Sequence, residues 1–158
     1  MNLKSQLEQV FATNFQVYYR THVAHVNIVG RNFYSDHKLL QGIYEGLQSN
    51  IDNLAEFLRT LKARMPASLM TVIDLSVTAD NEVEGTADEL LQSVYDDLEV
   101  LIDEYLSLNE IADDEQHPEI ANYAQDQLAL LRRSCWQLRS ILDDYQDDEE
   151  DADEEDDQ

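Results

Sequence analysis

The sequence predicts an all-α protein: a four-helix bundle with a short extra helix in the long connection between helices 2 and 3. Three observations predict it. Apolar residues recur every three to four positions in four long stretches. The 158 residues contain only two Pro and four Gly, too few for the many turns of a sandwich or barrel. No alternating apolar pattern of useful length competes.

The first stretch runs from Leu3 to Ile28, with Leu3, Leu7, Val10, Phe11, Val17, Tyr18, Thr21, His25 and Ile28 on its stripe. Gly30, Arg31 and Asn32 interrupt it. Ser35 can then cap a second helix, because its hydroxyl can accept from an early backbone N–H. Leu39, Leu40, Ile43, Tyr44, Leu47, Ile51, Leu54, Ala55, Leu58 and Leu61 carry that helix to about Arg64, and Pro66 stops it. Ser68 to Leu75 suits a short helix within the connection. Thr86-Ala-Asp-Glu89 is a capping box opening a third long helix on Leu90, Leu91, Val94, Leu98, Leu101, Ile102, Tyr105 and Leu108. It should fade near Ala112. After the polar turn Asp113 to His117, Pro118 suits the first position of a helix carrying Ile120, Ala121, Ala124, Leu128, Leu131, Cys135, Leu138 and Leu142. The middle connection must return the chain along the bundle, so the second and third long helices can run parallel.

Charge divides the chain. There are 34 carboxylates against ten Lys and Arg, a net charge of −24, and twelve of the carboxylates lie in the last sixteen residues. We expect residues 1–142 to form the bundle and 143–158 a disordered acidic tail, because such a block repels itself and buries nothing. The tail could bind basic partners, gather cations or keep the protein soluble. Low Lys and high Asp also fit a surface adapted to high salt. A phosphate backbone is a poor ligand for this charge. Cys135 stands alone, which excludes an internal disulfide and a CxxC site. No apolar run approaches the roughly 20 residues of a bilayer crossing. The first residues lack the apolar segment of a signal peptide, so a cytoplasmic location is expected.

The residues that can do chemistry are two imidazoles and two carboxylates, a plausible N/O ligand set for Fe, Mn or Zn. His25 closes the first helix and His37 opens the second. Asp52 and Glu56, four apart, share one helix face. On a rigid helix, His37 and Asp52 are separated by roughly 22 Å at 1.5 Å per residue. They cannot hold one ion within one chain. Either these are two unrelated polar patches, or the site closes between antiparallel copies of the second helix in two subunits. Taken singly, an interior His is more often hydrogen-bonded than ligating, and Asp52 with Glu56 would be a solvated face. His22 reads as a surface residue, and Cys135 and Trp136 as packing. Glu-x-x-His is absent, and Asp114-Glu-Gln-His117 falls in a turn, so a di-iron centre inside one bundle is not expected.

The spacing resembles that of the Dps-type mini-ferritins, the ferritin-like DNA-protecting proteins of starved cells. Their motif is a His, a second His twelve residues later, a carboxylate four beyond, and a later Asp-x-x-x-Glu. His25, His37, Asp52 and Glu56 stand at that spacing. Ala55-Glu56-Phe57-Leu58-Arg59 matches the family's Ala-Glu-x-x-Arg, and Trp136-Gln-Leu-Arg-Ser140 its Trp-x-Leu-Arg. The likeness spans residues 5–142, and a short helix in the long connection is a feature of these mini-bundles. It implies a hollow homo-oligomeric shell of twelve subunits. It implies ferroxidase activity, in which Fe(II) is oxidised preferentially by hydrogen peroxide, and storage of the ferric product inside. Iron would sit between subunits, with His25 and His37 from one and Asp52 and Glu56 from its partner.

Two positions depart from the pattern. Gln41 stands where the family has its carboxylate, and a neutral amide is a weaker ligand for a hard cation; Glu45, one turn on, is a possible substitute. Val26 stands where the family often has Trp, so an aromatic electron donor would have to come from elsewhere, with Tyr18, Tyr19 and Tyr44 as candidates. Asp113, Asp114, Glu115 and Glu119 match by region the carboxylates that line the family's iron-entry pore, although Pro118 and Asn122 occupy places where acids are expected there. The family's DNA binders use basic terminal arms. This chain has only Lys4 near its start, so direct DNA binding is not expected. Two alternatives to an active ferroxidase remain open at this point: a shell with weakened or lost oxidation through Gln41, and an acidic interaction or DNA-mimic protein.

Overall fold

The computed structural model describes residues 1–143. The tail expected at 143–158 therefore lies, beyond Asp143, outside the described residues. Five helices follow one another: α1 (Leu3–Asn27), α2 (Phe33–Thr60), α3 (Leu69–Leu75), α4 (Ala87–Asp114) and α5 (Pro118–Leu142). The protein is an all-α four-helix bundle, with α3 as the short helix between α2 and α4. Short turns make α1/α2 and α4/α5 two helical hairpins, and α1 packs on α4 to join them. Residues 61–86 connect the hairpins, and α3 lies against α1.

Local chemistry sets the helix ends. Asn2 caps α1 by accepting from the Ser5 backbone N–H at 2.9 Å, and Ser68 does the same for α3 through Thr71 at 3.1 Å. Both bonds of the Thr86–Glu89 capping box form: Thr86 N–H donates to Glu89 at 2.7 Å, and Glu89 N–H to the Thr86 hydroxyl at 3.3 Å. Pro118 takes the first turn of α5.

Two expected boundaries differ. The second helix starts at Phe33, so Ser35 lies inside it and its hydroxyl donates to the Asn32 carbonyl rather than capping. The same helix ends at Thr60, not near Arg64. Lys62 takes a left-handed conformation (φ 60°), and the Ala63 and Lys62 N–H groups bond back to the Leu58 and Arg59 carbonyls. That is a Schellman closure. Its small apolar residue, Ala63, is buried. Gln116 (φ 63°) ends α4 the same way.

The core is formed by the predicted stripes. Leu7, Phe11, Leu40, Leu54, Leu91, Leu98, Tyr105 and Leu108 are fully buried. Burying each such side chain contributes about 1.5–3 kcal/mol. Within this apolar interior, Arg20 of α1 meets Asp97 of α4 at 2.6 Å, with both side chains buried. Arg20 also donates to the Asn81 carbonyl (2.6 Å) and the Ser93 hydroxyl (3.3 Å), which ties the long connection to both helices. Burial pushes the Asp97 carboxyl up, and the Arg20 guanidinium opposes that shift. Between α2 and α5 lie polar contacts, with Asn50 donating to Gln127 (2.7 Å) and the Tyr123 hydroxyl to Asn50 (2.9 Å), beside the Phe57–Tyr123 ring pair at 5.2 Å.

Replacing Arg20 with Met leaves Asp97 buried without its partner. Urea unfolding at fixed protein concentration should show a loss of about 3–5 kcal/mol. An unchanged midpoint would show that the pair is dispensable.

Burial, with Glu99 nearby, pushes the Cys135 thiol up to about 12. The native thiol should therefore react with a thiolate-selective reagent at pH 8 far more slowly than the urea-unfolded chain does. Equal rates would contradict this.

Candidate metal centre

The short turn between α1 and α2 decides where the histidines lie. Gly30 takes φ +132°, a conformation that suits glycine, and buried Ile28 pins the end of α1. The chain reverses within five residues, so the last turn of α1 faces the first turns of α2. His25 and His37, twelve residues apart, thereby stack with ring centroids 3.8 Å apart and planes 15° from parallel.

Each ring holds the other's backbone. His25 Nδ1 lies 2.8 Å from the His37 carbonyl oxygen, and His37 Nδ1 lies 2.8 Å from the His25 carbonyl oxygen. A carbonyl oxygen can only accept, so each Nδ1 must carry the proton and donate it. In the neutral rings this leaves the Nε2 lone pairs free. A hydrogen bond from one ring nitrogen sets tautomer and ring orientation, and the other nitrogen of such a ring can take a metal. His25 is buried, and burial lowers its pKa, which favours the neutral, ligating form.

Aromatic rings wall the pair. Phe33 lies 4.9 Å from His37, and Tyr44 lies 4.9 Å from His25. His22, expected at the surface, is half-buried and stacks on Tyr44 at 4.2 Å. Of the tyrosines considered as electron donors, Tyr44 is beside the pair, Tyr18 is 6.4 Å beyond Tyr44, and Tyr19 is exposed. Sequence reasoning missed the His22–Tyr44 stack, although Tyr44 lies seven residues after His37 and so on its side of α2.

The carboxylates are elsewhere. Asp52 and Glu56 are exposed on α2, farther along the rod that begins with His37. Among the described residues of one chain, no three His, Cys, Asp or Glu side chains gather as metal ligands. Gln41 is half-buried. Its Nε2 donates to Glu45 at 2.8 Å, and its Oε1 accepts from Lys38 at 3.4 Å.

The acids considered for an entry pore collect at the α4–α5 turn. Asp113 and Asp114 are exposed. Glu115 accepts from the Leu3 backbone N–H at 2.9 Å, and Glu119 is 3.0 Å from His117 Nδ1. Cys135 packs as expected, whereas Trp136 is 57% exposed: it lies one position round the helix from the buried stripe.

A ferritin-like domain matches residues 4–147. The chain is 28% identical over 137 residues to the DNA protection during starvation protein of Helicobacter pylori, covering 86% of this chain and 95% of that one. The chain belongs to the ferritin-like family, among the Dps proteins. The crystal structure of antigen TpF1 from Treponema pallidum is similar to this Dps-family chain at a TM-score of 0.85 and 29% identity, covering 90% and 92% of the two chains. That of the Dps protein from Vibrio cholerae O1, described as belonging to a broad superfamily of ferritin-like diiron-carboxylate proteins, shares the fold at a TM-score of 0.84 and 24% identity, covering 89% of each chain. Among the described residues, no helix of this Dps-family chain is long and apolar enough to cross a membrane.

Proposed function

We propose that this protein captures Fe(II) at sites shared by two copies of the chain, oxidises it with hydrogen peroxide and stores the ferric product inside a hollow shell of about twelve subunits. The carrying observation is the reciprocal bonding of His25 and His37, which leaves both Nε2 lone pairs free while, among the described residues, no three His, Cys, Asp or Glu gather within one chain. Antiparallel pairing of α2 with a second copy brings Asp52 and Glu56 of one chain to His25 and His37 of the other.

The donor set suits the task. Imidazole binds Fe(II), and carboxylates stabilise the higher charge of Fe(III). Two Fe(II) give two electrons to one peroxide, which takes up two protons and leaves as two waters. Asp113, Asp114, Glu115 and Glu119 attract Fe(II) to an entry pore. Support for assembly comes from apolar side chains left uncovered on the single chain. Val26, Val29 and Tyr34 lie at the histidine end, and Leu69, Met70 and Ile73 on α3. The net charge of −24 argues against direct DNA binding.

A second reading, a shell with weakened oxidation, rests on Gln41: it supplies no charge, and Lys38 lies 3.4 Å from its oxygen. A Gln41→Asp variant whose peroxide-driven turnover rises at least about tenfold would support that reading, while unchanged turnover would exclude it.

Light scattering should first show an assembly, and anaerobic Fe(II) titration should saturate before peroxide builds a ferric core. The decisive experiment mixes two inactive variants, His25→Ala/His37→Ala and Asp52→Ala/Glu56→Ala, through unfolding and reassembly. Sites shared across a two-fold axis predict that about a quarter of the Fe(II) sites return. No recovery, with assembly intact, would refute the shared centre.

A further inference from the structure

We propose that Gln41 is a neutral oxygen ligand of the iron centre and that Glu45 is the positioning residue that turns its carbonyl oxygen toward the metal. This rests on the reading of His25 and His37 as ligands and deepens it: the chain keeps an oxygen donor where a carboxylate would otherwise stand.

The amide has two faces, and only one can bind a cation. Its oxygen carries lone pairs; its NH2 carries two hydrogens and repels a metal. A glutamine ligand therefore works only if its flip is set, whereas a carboxylate presents an oxygen either way. Two neighbours of opposite character set the flip of Gln41. The Glu45 carboxylate only accepts, so the group 2.8 Å from it must be the amide NH2. The Lys38 ammonium only donates, so the group 3.4 Å from it must be the oxygen. Both contacts demand the same orientation. The Lys38 contact is the longer, and Lys38 is exposed, so its ammonium can swing away when a cation arrives.

Helix geometry separates the roles. Gln41 is one turn beyond His37, on the same face, where its oxygen can join a metal held by the imidazoles. Glu45 is two turns beyond, about 12 Å along the axis from His37 at 1.5 Å per residue. Its carboxylate is engaged by the Gln41 amide at 2.8 Å. It contributes by holding the amide, as a carboxylate behind a metal-bound histidine holds the ring.

Cobalt(II) titration of the assembled full-length protein, followed by its visible absorption, tests this without turnover. Four proteins are compared: wild type, Glu45→Ala, Gln41→Asp and Gln41→Asp/Glu45→Ala. His37→Ala marks which binding belongs to the centre. With Gln41 in place, loss of Glu45 should weaken His37-dependent binding by about tenfold or more. In the Gln41→Asp background the same change should cost no more than about twofold, because a symmetric carboxylate has no flip to hold. Equal weakening in both backgrounds would mean that Glu45 acts through its charge alone and would overturn the proposal. So would His37-dependent binding that Glu45→Ala leaves unchanged. Absence of any His37-dependent binding in the wild type would instead defeat the metal-centre reading, and this assignment with it.

Discussion

Two hydrogen bonds across one tight turn hold together the two histidines on which the proposed metal centre depends. They run in opposite directions between the same two residues, each imidazole donating to the backbone carbonyl of the other. They join the end of α1 to the start of α2 and fix the tautomer of both rings. The stacked neighbour adds to burial in disfavouring the charged form of His25, since two imidazolium charges at 3.8 Å would repel each other. A metal that binds there meets ligands already oriented, and little order has to be created on binding.

The rest of the bundle keeps that turn in place. Arg20 and Asp97 lock α1 to α4 and tie down the long connection. Asn14 donates to the Leu47 carbonyl at 2.9 Å and fixes α1 along α2. These polar contacts are directional, and within an apolar interior they set register as well as contributing energy. The helix that positions His37 also carries Asp52 and Glu56, and its rigidity keeps them apart. On the proposed reading, one chain displays two halves of a ligand set at separate places on one rod. The proposed shared centre needs a second copy, running the other way, to match the halves.

Much of the fold was legible because its signals are local. Thr86 and Glu89, Ser68 before α3, and Pro118 at the start of α5 act within one turn of helix, and each acts as its residue type predicts. The exceptions have equally physical causes. Ser35 lies too deep in α2 to cap it, because the turn at Gly30 lets the helix begin at Phe33. Lys62 ends α2 in a left-handed conformation usually left to glycine, an ending held by bonds to Leu58 and Arg59 rather than by its residue type. The buried partnership of Arg20 and Asp97 spans 77 positions, and no local pattern marks it.

For the candidate centre, the amino-acid order alone determined which residues could take part. The spacing singled out His25, His37, Asp52 and Glu56, and it excluded their meeting inside one chain, because helix rise converts residue number into length. The resemblance to the Dps-type motif marked Gln41 as the odd member. What the order could not say was how those side chains are presented. The reversed chain direction at Gly30 brought two carbonyls within reach of two imidazoles, and packing against Tyr44 drew His22 inward. Side-chain contacts on α2 turned the Gln41 amide toward Glu45. Tautomer, ring stacking and amide flip depend on which acceptor or donor lies about 3 Å away in space. That neighbour is settled only once the helices have packed.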